Sequence, residues 1–145
     1  MFAIRTPRPD DLPALTRLLE SCGLPTSDLT EDHLKHFIIL GQAGRVAGCI
    51  GMEVSGQDAL LRSLAVDNMM RGEGYGKRLL QLMEARAHDE GVQRLYLLTT
   101  SAADFFEHEG YARIDRAGVP ESIRNTAQFT GICPSSATCL FKSLD

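Results

Sequence analysis

Hydrophobic and polar positions change period several times along this chain, and the changes divide it into short elements. Residues 2–5 read as a first strand. Pro9, Asp10 and Asp11 then open a helix, with Pro early and acids in the first turn. Leu12, Leu15, Leu18 and Leu19 give that helix one apolar face; Cys22 and Gly23 end it, and Pro25 prevents its continuation. Thr30, Glu31 and Asp32 predict a second short helix ending near Phe37. Extended patterns follow over 37–40, 46–55 and 59–66, separated by turns at 41–45 and 55–58. Within the second of them, Gly48 and Gly51 mark either bulges or close backbone approach.

The period then lengthens. After a loop at 67–71, a helix beginning near Tyr75 carries Leu79, Leu80, Met83 and Ala87 at helical spacing and stops before Gly91. A strongly apolar strand spans 94–99. A helix over 102–108 closes at Gly110, and further elements are a strand at 111–114, a short helix at 120–126 and a last strand at 137–144. The order is β-α-α-β-β-β-α-β-α-β-(α)-β. It predicts an α/β (α+β) fold in one domain over 1–145, with a mixed, largely antiparallel central sheet flanked by helices. The tight turns between residues 37 and 66 require antiparallel neighbours. The helical crossover from 59–66 to 94–99 makes those two strands a candidate parallel pair.

A chain of 145 residues with 43% hydrophobic residues can bury a core of its own. Its net charge of −4 argues against a general nucleic-acid surface. No apolar run approaches the roughly 20 residues that span a bilayer, and the first residues lack a signal-peptide core, so the expected setting is the cytoplasm with no membrane partner. Cys22, Cys49, Cys133 and Cys139 show no metal-binding spacing, and no metal is expected.

The candidate chemistry begins at Arg71-Gly72-Glu73-Gly74-Tyr75-Gly76, a glycine-rich junction between strand and helix. Such a junction lets the backbone approach a ligand, and the helix start offers unpaired N–H groups to phosphate. Arg71 and Lys77 add positive charge. A Walker A loop would need Gly at Arg71 and Ser or Thr at Arg78. A dinucleotide fingerprint would need Gly at Lys77. Taken alone, the glycines fit an anion site and a flexible turn about equally.

These residues resemble the signature R/Q-x-x-G-x-G/A of the GNAT acetyltransferase superfamily, matched by Arg71, Gly74 and Gly76. Residues 99–111, with Ala102, Phe105, Phe106 and Gly110, are similar to a second stretch of that family. The resemblance implies acetyl-CoA as cosubstrate. Its pantetheine arm would pair with the backbone of Leu64 and Val66, its pyrophosphate would rest on residues 71–77, and Phe105 would border the arm. A narrower likeness, through residues 61–66, Leu97, Leu98, Thr99, Thr100, Val119, Pro120, Gln128, Phe129 and 133–137, is to N-acetyltransferases encoded with arsenic-resistance genes. It implies a small amine acceptor, amino-acid-like, with arsenicals and phosphinates among the possibilities.

Acetyl transfer to an amine needs a base and a positioned thioester. Glu53 is the candidate base by resemblance, and it reads equally as a solvated strand residue. Arg62 is a candidate hold on a substrate carboxylate or oxyanion, with an ordinary surface ion pair as the alternative. Strict strand alternation places it on the face of Leu60 and Leu64, opposite Ser63. Arg116 and Ser136 are further candidate substrate contacts. The four histidines form no constellation in the sequence and read as surface residues. Phe106 stands where many relatives carry a Tyr that protonates the leaving thiolate, and Thr99 where many carry Asn. Phe106 keeps open a non-catalytic acetyl-CoA-binding module beside the enzyme; an acetyltransferase for protein N-termini or lysines is a further alternative. The apolar stretch at Leu140 and Phe141 fits either a homodimer edge or a buried strand.

Overall fold

Seven strands and four α-helices are seen in a computed structural model that describes residues 2–42, 45–134 and 136–144. The strands are β1 (Ala3–Arg5), β2 (Phe37–Gln42), β3 (Arg45–Ser55), β4 (Asp58–Val66), β5 (Arg94–Thr99), β6 (Ala112–Arg113) and β7 (Thr138–Ser143). The helices are α1 (Leu12–Ser21), α2 (Tyr75–Asp89), α3 (Ala103–His108) and α4 (Glu121–Arg124). The sheet order is β1-β2-β3-β4-β5-β7-β6. Pairs β1–β2, β2–β3, β5–β7 and β7–β6 are antiparallel, while β4 and β5 are parallel, as their helical crossover requires. This is the expected mixed, mostly antiparallel sheet. The turn expected at 41–45 includes Ala43 and Gly44, which lie outside the described residues, as does Ser135. Among the described residues no helix is long and apolar enough to cross a membrane.

The chain divides into two compact units, Met1–Glu53 with Arg62–Ala85, and Val54–Leu61 with Arg86–Asp145. In the first, Leu15, Leu18 and Leu19 of α1 pack with Leu34, Phe37, Ile39, Val46, Cys49 and Ala65. The helix ends in a Schellman arrangement: Leu24 N–H reaches Leu19 C=O and Gly23 N–H reaches Glu20 C=O, each at 3.0 Å. Its entry is fixed by Asp11. The carboxylate accepts the Arg8 backbone N–H at 2.7 Å and both Arg5 Nη atoms at 2.8 and 3.0 Å, which fastens β1 to the start of the helix. The Arg5 hydrogen bonds hold the Asp11 carboxyl down at about 2, against the opposing effect of burial. Gly51 faces Phe37 across β2–β3, and a Cβ there would lie 2.3 Å from the Phe37 ring. Gly51 is thus a site of close approach, and the irregularity of this ladder falls instead at Leu40/Gly41.

In the second unit the β4–β5 ladder pairs Asp58 with Arg94, Ala59 with Leu95 and Leu60 with Tyr96. Leu60, Tyr96, Val119, Ile123 and Cys139 form its core. Tyr96 and Phe141 stack across β5–β7, centroids 5.9 Å apart. β7 runs between β5 and β6, so Leu140, with 0% exposure, is interior. The buried-strand reading thus fits Leu140, while Phe141 is half-buried. Residues 128–132 form one π-helical turn that apolar periodicity did not predict. It closes with Cys133 N–H to Gln128 C=O at 3.1 Å, and the Cys133 thiol donates to the buried Gln128 Oε1 at 3.1 Å. Cys49 and Cys139 are both buried, and burial pushes both thiols up, Cys139 to about 11.

Two stability predictions follow from the first unit. Asp11→Asn should cost about 1–2 kcal/mol at pH 7 in urea titrations. Because the folded pKa lies below the unfolded one, this contribution is present above about pH 4 and is lost as pH falls toward 2, so the two proteins should converge there. Gly51→Ala, which forces a methyl into the Phe37 ring, should destabilise by roughly 1–3 kcal/mol in the same measurement.

Candidate functional site

The site grows from a departure in β4. Ser63 has φ 60°, the positive-φ non-glycine residue among those described. One left-handed residue inside a strand breaks its alternation. Ala59, Leu60, Leu61 and Arg62 just before it are all buried, as in a strand interior to the sheet. The expectation that Arg62 and Ser63 point to opposite faces fails at this left-handed residue: Arg62 Nε donates to Ser63 Oγ at 3.0 Å. The Ser63 carbonyl accepts the Cys49 thiol at 3.1 Å, so the distorted residue is held at both its hydroxyl and its carbonyl.

Arg62 carries its charge inside the protein, with 0% side-chain exposure. Its Nη1 and Nη2 grip Asp28 Oδ2 and Oδ1 at 2.5 and 2.9 Å, and Nη1 also donates to Glu53 Oε2 at 2.8 Å. Burial opposes the charge, but the two carboxylates outweigh it and raise the Arg62 pKa. All three guanidinium nitrogens are bonded within the protein, so the bidentate grip expected on a substrate carboxylate is instead a grip on Asp28. The two acids then differ. Burial pushes the Asp28 carboxyl up, yet the Arg62 hydrogen bonds and charge prevail and hold it below the usual carboxylate range. Both Asp28 oxygens are engaged, whereas Glu53 is held by Oε2 alone. Glu53 is 24% exposed, against 11% for Asp28.

His33 joins this cluster from the 3₁₀ turn Glu31–His36, its Nε2 4.0 Å from Glu53 Oε2 and its side chain 22% exposed. Sequence reading left it as a surface residue and did not single out Asp28, because positions 28, 33, 53 and 62 meet only through the fold. Asp28, His33 and Glu53 each bring a potential metal-ligating atom within 4.8 Å of the others. Arg62 already occupies three of the four carboxylate oxygens, which makes this a guanidinium site.

The anion loop lies in the same unit. Arg71 folds back, Nε donating to Val66 C=O at 3.2 Å and Nη2 to Cys22 Sγ at 3.4 Å. Gly72 and Gly74 have φ 86° and 83°, and a Cβ at either would meet nothing within 4 Å. Glycine is therefore needed for backbone conformation rather than for internal packing. The helical bonds start with Arg78 N–H to Gly74 C=O at 3.1 Å, so the amides before it have no helical acceptor. Gly72, Glu73, Gly74 and Lys77 are exposed, while Tyr75, Gly76, Leu64 and Val66 are half-buried. Open space, unpaired amides and a helix start suit a diphosphate.

The remaining candidates belong to the second unit. Phe105 is half-buried on α3 and meets Phe106 edge to face at 5.1 Å; Phe106 in turn meets Tyr111 edge to face at 5.5 Å. Thr99 Oγ1 accepts the Ala102 N–H at 2.9 Å, capping the approach to α3. Arg116 Nη2 donates to Pro134 C=O at 2.9 Å and Ala137 C=O at 3.3 Å, with its guanidinium 5.9 Å from the Phe129 ring centroid. It pins the segment carrying exposed Ser136.

The acetyltransferase (GNAT) domain family matches residues 33–113. The chain is 28% identical over 137 residues to an amino-acid acetyltransferase of Neisseria meningitidis, covering 89% of this chain and 31% of that protein. It is 29% identical over 143 residues to an uncharacterized N-acetyltransferase of Chlorobaculum tepidum, covering 94% and 90%. N-acetylglutamate synthase of Neisseria gonorrhoeae, solved with coenzyme A and N-acetyl-glutamate, superposes with a TM-score of 0.85 at 25% identity, over 100% of this chain and 35% of that one. The chain thus spans about a third of the length of these Neisseria relatives. With the family match covering more than half of its residues, on a mixed sheet with the glycine-rich turn at the start of α2, the chain belongs to the GNAT acetyltransferase family.

Proposed function

We propose that this N-acetyltransferase moves the acetyl group of acetyl-CoA to the primary amine of a small, amino-acid-like acceptor, with Glu53 as general base. The observation that carries the reading is the Glu53 carboxylate, fixed through Oε2 by a buried arginine while Oε1 remains available. The amino-acid acetyltransferases among the relatives support the class of acceptor. Amino-acid-like arsenicals and phosphinates belong in the same screen, on the strength of the arsenic-resistance likeness in residues 61–66 and 133–137.

In this reading the amides of residues 71–77 bind the pyrophosphate, with Arg71 and Lys77 adding positive charge, and the backbone of Leu64 and Val66 pairs with the pantetheine arm. Acetyl-CoA supplies an activated thioester. Glu53 takes a proton from the acceptor ammonium; the free amine then forms the C–N bond as the C–S bond breaks, and the second proton lost from nitrogen passes through solvent to the departing thiolate. Phe106 has no proton to give, and its ring is packed between Phe105 and Tyr111, so no phenol at that position assists the departing thiolate.

Calorimetry should show micromolar coenzyme A binding by the wild type. Gly74→Trp, whose side chain fills the space over the loop, should weaken binding at least ~100-fold, ~2.7 kcal/mol, with helix content retained by circular dichroism. A folded wild type that binds no coenzyme A would overturn the reading. In steady-state assays Glu53→Gln should lower kcat by ~100- to 10,000-fold with coenzyme A affinity unchanged. Undiminished turnover would remove Glu53 as the base.

A further inference from the structure

We infer that Asp28 and His33 are positioning residues that dedicate one oxygen of Glu53, Oε1, to proton transfer; this rests on Glu53 being the base. Two nitrogens converge on the other oxygen. Arg62 Nη1 donates to Oε2 at 2.8 Å, and His33 Nε2 stands 4.0 Å from the same atom. Oε1 has no hydrogen-bond partner among the described residues.

Each converging nitrogen is itself fixed. Arg62 is held flat by two bonds to Asp28 and one to Ser63 Oγ, so its fork cannot swing to take both Glu53 oxygens. His33 is fixed by the turn that carries it. The backbone N–H of Thr30 donates to His33 Nδ1 at 3.0 Å, and Thr30 Oγ1 lies 3.1 Å from the same nitrogen. A backbone N–H can only donate, so Nδ1 is the unprotonated nitrogen of the neutral ring, and the ring proton sits on Nε2, the nitrogen facing Glu53. The local hydrogen bond of a turn thereby selects the tautomer that points a donor at the base.

The charges add a second consequence. Asp28 and Glu53 set two carboxylates against the single guanidinium of Arg62, so these three groups carry one net negative charge before the reaction. It attracts an acceptor that arrives as an ammonium ion. When an N–H bond of that ion breaks and an O–H bond forms on Oε1, the cluster becomes neutral and the amine becomes nucleophilic. The charge that attracts the substrate is thus removed by the step that activates it.

The test is the pH profile of kcat/KM for the amine, with KM for acetyl-CoA as control, in Asp28→Asn, His33→Leu, His33→Gln and Glu53→Gln. Among the described residues, the charged and titratable groups facing Glu53 are Asp28, His33 and Arg62. Asp28→Asn removes a negative neighbour and frees Arg62 to engage Glu53 more fully, so the acid limb should move to lower pH and the plateau should fall ~10-fold. His33→Leu removes the ring dipole whose Nε2 stands 4.0 Å from Oε2, so the acid limb should move the opposite way, by ~0.3 of a pH unit. His33→Gln, which offers an amide donor, should restore part of that shift. KM for acetyl-CoA should stay the same throughout. Acid limbs that do not move, or that move together, would overturn the proposal, as would His33→Leu matching wild type. If Asp28→Asn does not fold, the two His33 variants decide alone. Full turnover by Glu53→Gln would instead mark failure of the base assignment itself.

Discussion

A guanidinium with no solvent exposure is the constraint around which the first unit is arranged. Taking a charge out of water costs several kcal/mol unless partners of opposite charge and good geometry replace the hydration. Arg62 therefore requires carboxylates, and the fold supplies one from the loop before the 3₁₀ turn and one from β3. A single side chain thereby ties β4 to β3 and to the loop that carries Asp28. Such an arrangement adds little net stability over an apolar equivalent. What it adds is geometry, because neither acid can move without leaving the buried cation unbalanced.

The distortion at Ser63 makes this possible. In a regular strand the side chain after Arg62 would face away from it. A left-handed residue turns Ser63 so that its hydroxyl meets Arg62 Nε, and the strand continues toward the anion loop with its alternation reset. A backbone conformation that disfavours side chains is kept where hydrogen bonds over-determine it, here from Arg62 and Cys49. Both proposed chemical parts, the Glu53 carboxylate and the amides of residues 71–77, fall within the first unit.

What was legible in the sequence is what depends on local periodicity and backbone chemistry. The apolar face of α1, the turn at Gly56, the strand–loop–helix junction at 66–75 and the parallel pairing of β4 with β5 each follow from spacing or connection length. Ser63 was not legible, because serine carries no mark of a positive φ. Asp28 and His33 were missed because a site assembled across distant positions leaves no spacing to read. The interior place of β7 was left open, since an apolar terminal strand looks the same at an edge or between neighbours. The π-helical turn at 128–132 has no apolar period to announce it.

The cysteines divide in a useful way. Cys22 and Cys133 are half-buried, whereas Cys49 and Cys139 are buried with thiols held well above neutral pH. A thiolate is what attacks a thiol reagent, so the buried pair stays silent until its surroundings open. Cys49 lies in the core of the first unit and Cys139 in that of the second. The chain thus carries one native clock in each unit, and the rates at which the two thiols become reactive would report whether the units open in a single event or one at a time.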